Sequence, residues 1–132
     1  RIGLKTWKEY IPEKYRIQID GKFHEMEACL MTVGNSSQWG NNARIAPLAD
    51  IRDGMLDMTA VDRFSIMAMP TLAFQLMTGR LDRNSQVHCY RGSQIKISRP
   101  APGPAHADGD WFSAGTELEV RILPKSLKVL IP

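Results

Sequence analysis

The sequence predicts a mainly β fold, a β-sandwich with one principal helix. Three observations carry that expectation. Short segments in which apolar and polar residues alternate recur at intervals of roughly 8–12 residues, the spacing of an all-β sandwich. Turn-forming pairs punctuate them: Asp20-Gly21, Asp53-Gly54, Gly92-Ser93 and Asp108-Gly109. One stretch alone, Phe64 to Thr78, has a helical rather than an alternating pattern.

The elements follow in order from local chemistry. Leu4 to Tyr10 reads as a short helix that Pro12 ends. Tyr15, Ile17 and Ile19 alternate with Arg16, Gln18 and Asp20, which is the pattern of a half-buried strand. Asp20-Gly21 closes a tight hairpin, and the returning strand is expected to run from Lys22 to Val33. Its second half is almost wholly apolar and should enter the core. A turn-rich loop then carries Gly34, Asn35, Gly40 and Pro47 to Asp53-Gly54. Met55 to Val61 resumes a strand, with Leu56, Met58 and Ala60 on one face and Asp57 and Thr59 on the other. In the helical stretch Pro70 suits the first turn and Gly79 the end. Leu72 and Leu76 share a face. Met67, Met69 and Met77 could line a lipid-facing groove, but the expectation is core filling, the commoner use of methionine. From Gln86 onward the pattern is all strand. Val87 and Cys89, then Ile95 and Ile97, flank Gly92-Ser93; Ala101-Pro102-Gly103-Pro104 interrupts the sheet; His106 to Phe112 carries Asp108-Gly109-Asp110. Leu118, Val120 and Ile122 alternate with charged residues, and Leu127, Val129 and Ile131 make a last strand.

At 132 residues one domain, 1–132, is the default, and the length suffices for a real core. Apolar residues make up 43% and charged residues 23%, the proportions of a soluble globule. No apolar run approaches a membrane span. The net charge of +3 suits an anionic ligand or membrane surface but is too small to argue for nucleic acid. Cys29 and Cys89 sit in apolar strand-like runs and read as small buried thiols of a reducing, cytoplasmic compartment; a disulfide between them is not legible in the sequence. The histidines His24, His88 and His106 are scattered and no zinc-type spacing occurs. The chain opens at Arg1, which suggests a fragment or processed product.

The chemistry centres on residues 30–57. Gly54 supplies a backbone conformation closed to residues with a Cβ, so carbonyls flanking Asp53 could converge where its carboxylate points. Hard oxygens gathered in one short turn suit Mg²⁺ or Ca²⁺. The same pair is equally a plain hairpin turn that needs no metal. Asp108-Gly109-Asp110 has the same two readings, a site of carboxylate chemistry or a solvated turn.

The phrase as a whole is more specific than either pair. Asn35, the glycine and asparagines after it, Ile45-Ala46-Pro47, Ala49 and Asp53-Gly54-Met55-Leu56-Asp57 resemble the C-terminal domain of the diacylglycerol kinase family of lipid kinases, which includes sphingosine and ceramide kinases. The family pattern is an asparagine, a glycine-rich loop, A-P-x-A and D-G-x-L-D, with D-G-E near the end, where this chain has Asp108-Gly109-Asp110. The resemblance covers roughly residues 15–132. It implies transfer of the γ-phosphoryl group of ATP to a lipid hydroxyl, which requires charge neutralisation, positioning and a proton acceptor. It implies Mg²⁺ at Asp53, with the carbonyls of Asp50 and Met55 completing the protein ligands. Asp110 takes the place of the proton-accepting glutamate and is the one contact here toward the nucleotide; Asp108 matches the aspartate before it. Aspartate for glutamate shortens the reach of the base by one methylene. Asp57 is expected to support the metal loop from behind or to face solvent. The family's Gly-Gly-Asp-Gly-Thr nucleotide signature and a G-x-x-x-x-G-K-[ST] loop are both absent. The expected partners are therefore a lipid substrate, an N-terminal nucleotide-binding domain of the same chain that holds most of the ATP, and a peripheral membrane surface, with no nucleic acid. The alternative is a non-catalytic lipid-binding or regulatory β-sandwich.

Overall fold

A computed structural model of the chain describes residues 12–38 and 43–126. Nine strands and one α-helix follow one another: β1 Glu13–Ile19, β2 Lys22–Ala28, β3 Leu30–Gly34, β4 Leu56–Val61, α1 Met69–Thr78, β5 Val87–Gly92, β6 Gln94–Ser98, β7 Gly103–Ala107, β8 Asp110–Ala114 and β9 Glu117–Arg121. They form a four-stranded sheet in the order β2-β1-β6-β9, a three-stranded sheet in the order β3-β4-β5, and a two-stranded ribbon of β7 and β8. Every pairing is antiparallel. The expected helix at residues 4–10 and the strand at 127–131 lie outside the described residues.

Alternation along each strand builds the sandwich. Ile17, Ile19, Ala28, Ile95 and Ile97 of the four-stranded sheet pack against Leu56, Met58 and Ala60 of the three-stranded sheet. Tyr15, Met26, Met31, Val33, Leu118 and Val120 extend that core. Burial of large apolar side chains contributes about 1.5–3 kcal/mol each, so this interlayer is the main stabilising term. All six residues of β4 are buried, because the sheet's other face is covered as well. There Ile45, Ala46, Val61, Leu72, Leu81 and Val87 form a second core, which places α1 and the loop before β4 outside the three-stranded sheet.

Several expectations need correction. The returning strand is not continuous: it breaks at Cys29, β2 staying in one sheet and β3 crossing to the other, with Cys29 N–H donating to the Val61 carbonyl at 2.9 Å. A continuous apolar run can mark a layer change as well as a buried strand. The turn expected at Gly92-Ser93 is present and carries the chain from β5 in one sheet to β6 in the other. The helix is shorter than 64–78: Ser65 caps a 3₁₀ turn over Ile66–Ala68, and the α-helix begins at Met69. Pro70 does lie in its first turn, and Gly79 ends it at φ 67°. Met67, Met69 and Met77 are not core residues. Met67 is 83% exposed and the other two are also exposed, because Leu72 and Leu76 on the opposite side fill the core. Cys89 is exposed and Cys29 half-buried, both as free thiols. Loss of hydration beside neighbouring atoms, foremost, raises the pKa of both thiols.

Candidate functional site

The loop that leads into β4 is fastened to the sheet it covers. Thr59, 2% exposed on the outer face of β4, donates its hydroxyl to the Ile45 carbonyl at 2.8 Å. Ala49 N–H donates to the Ala46 carbonyl at 3.1 Å, so Ala46-Pro47-Leu48-Ala49 is a tight turn. The next turn is drawn in by carboxylates. Asp50 Oδ1 accepts from the Arg52 backbone N–H at 3.0 Å and from Arg52 Nε at 3.1 Å. The Arg52 side chain beside it holds the Asp50 carboxyl below the usual carboxylate range. Asp53 N–H donates to the Asp50 carbonyl at 3.2 Å, and Asp53 Oδ1 accepts from Met55 N–H at 2.9 Å. Gly54 between them sits at φ 70°, where a side chain would be strained.

Arg91 on β5 binds this loop to the sheet, and sequence reasoning missed it. Its Nε donates to Asp57 Oδ1 at 3.1 Å, its Nη2 donates to the Leu48 carbonyl, and its Nη1 lies 3.5 Å from Asp53 Oδ2. The Asp57 hydrogen bond, foremost, raises the Arg91 pKa further. Asp57 itself is only 8% exposed, so it does not face solvent; it anchors the arginine that reaches the loop. The signal was the cross-strand register Asp57↔Arg91, which is a tertiary fact and not a local pattern.

Three carboxylates (Asp50, Asp53, Asp57) against two guanidiniums (Arg52, Arg91) leave one net negative charge. At 3.5 Å the Arg91 contact to Asp53 Oδ2 is an ion pair too long to be a strong hydrogen bond. The donors the resemblance implies here, the Asp53 carboxylate and the Asp50 and Met55 carbonyls, are all oxygens, the type that suits Mg²⁺ with several waters kept. Among the described residues no three His, Cys, Asp or Glu side chains converge as ligands. This candidate set draws on a single carboxylate.

The second carboxylate pair lies at the far end of the ribbon. Ala107↔Asp110 is the last pair of the β7–β8 ladder, and Asp108 and Gly109 form its two-residue turn at φ 49° and 93°. Positive φ at both positions is the type I′ geometry that favours Asp-Gly. Asp108, Gly109 and Asp110 are all exposed, as are Trp111 and Phe112 next to them. The structure thus puts Asp108 and Asp110 in one turn and Asp50, Asp53 and Met55 in another. Among the described residues no hydrogen bond or ion pair joins the two turns.

A family model described as the YegS C-terminal NAD kinase beta sandwich-like domain matches residues 1–131. The chain belongs to that family. The chain is 22% identical over 131 residues to the Shewanella frigidimarina protein named "Probable lipid kinase YegS-like", covering 99% of this chain and 42% of that protein. It is 28% identical over 122 residues to a diacylglycerol kinase of Mycobacterium tuberculosis, covering 92% of this chain and 39% of the relative. The chain thus spans about two-fifths of the length of these curated relatives. Its fold matches the crystal structure of a diacylglycerol kinase from Bacillus anthracis at TM-score 0.61 and 16% identity, over 93% of this chain and 47% of that one. A further Bacillus anthracis structure matches at TM-score 0.66 and 21% identity, over 89% and 42% of the two chains.

Proposed function

We propose that this chain is the substrate-side domain of a two-domain, ATP-dependent lipid kinase, and that it presents the proton acceptor to a lipid hydroxyl. The observation that carries the reading is the Asp108-Gly109-Asp110 turn, exposed at the tip of a ribbon on a sandwich whose family includes lipid kinases. An exposed carboxylate on a projecting tip can reach a group held by another domain, which one buried in a strand cannot.

In this reading Asp110 takes the hydroxyl proton as the lipid oxygen forms its bond to the γ-phosphorus and the bond to ADP breaks. Asp108 shares the turn and fixes its geometry. The nucleotide is held mainly by an N-terminal domain of the same polypeptide. Asp53, through its carboxylate, and Asp50 and Met55, through their carbonyls, hold Mg²⁺ when it is bound, and the ion then supplies charge that stiffens the loop over β4. The lipid substrate sits in a bilayer, so the enzyme works from the cytoplasm as a peripheral membrane protein. No helix among the described residues is long and apolar enough to cross a membrane.

The test is a transfer assay on the full-length polypeptide with Mg-ATP and diacylglycerol or a sphingoid base in mixed micelles. Phosphorylated lipid is the expected product. Lipid binding with no transfer to any lipid alcohol contradicts the kinase reading and leaves the non-catalytic lipid-binding domain. The replacement of the family's glutamate by Asp110 is what keeps that second reading in view.

A further inference from the structure

The β7–β8 ribbon stands apart from both large sheets, and an isolated two-stranded hairpin is marginally stable in water. Of its ten residues only Ala114 is buried. It grows out of the β6–β9 ladder: Ser98 and Glu117 are the last pair of that ladder, and Arg99 N–H donates to the Thr116 carbonyl at 2.9 Å just beyond. Something must fix the angle at which such a ribbon leaves its sheet.

The Arg99 side chain crosses the neck of the ribbon. Its Nε donates to the Gly115 carbonyl at 2.9 Å, and its Nη2 donates to the carbonyls of Gly103 at 2.8 Å and Ala114 at 2.7 Å. Gly103 and Ala114 are the first pair of the ribbon's ladder. One guanidinium therefore ties the entering strand, the leaving strand and the end of β6 together.

We propose that Arg99 is a positioning residue for the transfer reaction: by holding the neck it sets the direction in which the ribbon carries Asp108 and Asp110. This rests on the reading of that turn as the proton acceptor. The leverage is large. Five residues of strand separate neck from tip, roughly 16 Å at about 3.3 Å per residue. A swing of about 10° at the neck moves the tip by roughly 3 Å, and a misplacement of about 1 Å can cost on the order of 10²-fold in rate. Arg99 touches no reacting atom in this scheme. Lysine does not replace it, because one ammonium lacks the planar fork that reaches three carbonyls at once.

The experiment compares wild type, Arg99→Ala, Arg99→Lys and Asp110→Asn in the full-length enzyme, by steady-state kinetics and by amide hydrogen exchange. Arg99→Ala is expected to lower kcat about 10²-fold at unchanged KM for ATP. It should speed exchange in residues 103–114 while β1, β4 and β6 keep their protection. Added methylguanidine should restore part of the rate in Arg99→Ala and none in Asp110→Asn. Should Arg99→Ala fail to fold, Arg99→Lys, which keeps the stem and one donor, is read by the same two measurements. Unchanged ribbon exchange, or an unchanged kcat beside a damaged Asp110→Asn, overturns the proposal. A silent Asp110→Asn removes instead the proton-acceptor reading, and a ribbon loosened by the Arg99 variants is then a structural staple alone.

Discussion

Three single side chains hold the candidate site and the sandwich in register. Arg91 is the first. Removing it leaves Asp57 charged, nearly buried and without its guanidinium partner, a change that costs about 1–3 kcal/mol for a partly buried pair. Arg91→Ala should lower the midpoint of urea denaturation correspondingly; a midpoint within error of wild type would show that the pair contributes nothing net. Asp20 is the second. Its carboxylate accepts from the Ser93 backbone N–H at 3.0 Å, from the Ser93 hydroxyl at 2.9 Å and from Gln94 N–H at 3.0 Å, which pins the turn of β1–β2 to the crossover between sheets. The Ser93 backbone hydrogen bond, foremost, lowers its pKa. A depressed folded-state pKa stabilises the fold above the unfolded value, and the gain is lost as pH falls through the folded one. Asp20→Asn should therefore lower Tm at neutral pH, and the gap to wild type should close below about pH 4. A gap that persists unchanged in acid would assign the effect to shape rather than charge. Arg99 is the third. These links were not legible in the sequence, because most join residues 16 to 74 positions apart and all depend on a register that only the folded sheets define.

At the scale of elements, what the sequence shows well is alternation. Period two puts Leu56, Met58 and Ala60 on one face and marks Ile17 and Ile19 in a half-buried strand, and all five are buried in the core between the sheets. What alternation does not show is which sheet a strand joins. The apolar run through Cys29 reads as one strand and spans two, and the turn at Gly92-Ser93 links two layers, which its residue types do not reveal. Gly92 marks that link: a Cβ there would lie 2.4 Å from Ile19 Cγ2. Gly92→Ala should therefore cost about 1–3 kcal/mol by overpacking where the sheets meet. Thermal melts check this, and an alanine variant as stable as wild type would mean the strands shift apart freely. The helix shows the opposite limit. Its boundaries blurred because Ser65 starts a 3₁₀ turn ahead of it, and its methionines were misassigned because helical spacing gives the buried side only when the partner surface is known. The Asp-Gly turns, by contrast, were legible from residue type, since positive φ at Gly54 and at Asp108-Gly109 is a local demand.

For the whole molecule, the family is shown by the match over residues 1–131, and the fold by the antiparallel sandwich it shares with diacylglycerol kinase structures. Neither of the two aspartate turns contains a loop that cradles phosphates, and no Gly-Gly-Asp-Gly-Thr or G-x-x-x-x-G-K-[ST] segment occurs in these residues. The pure 132-residue chain is therefore expected to give no ATP-dependent lipid phosphorylation, and turnover by it would overturn the two-domain reading. Mg²⁺ titrated into wild type and Asp53→Asn by calorimetry should give binding heat only in the former; identical heats would remove the site at Asp53. The central claim is narrower: the ribbon tip carries the proton acceptor. Its most direct test is the kinetics of Asp110→Asn in the full-length enzyme. The amide keeps the size of the side chain and cannot take the proton. The expected result is a kcat lower by about 10²- to 10⁴-fold at little-changed lipid KM. A loss confined to KM, or a transfer rate left untouched, would contradict it.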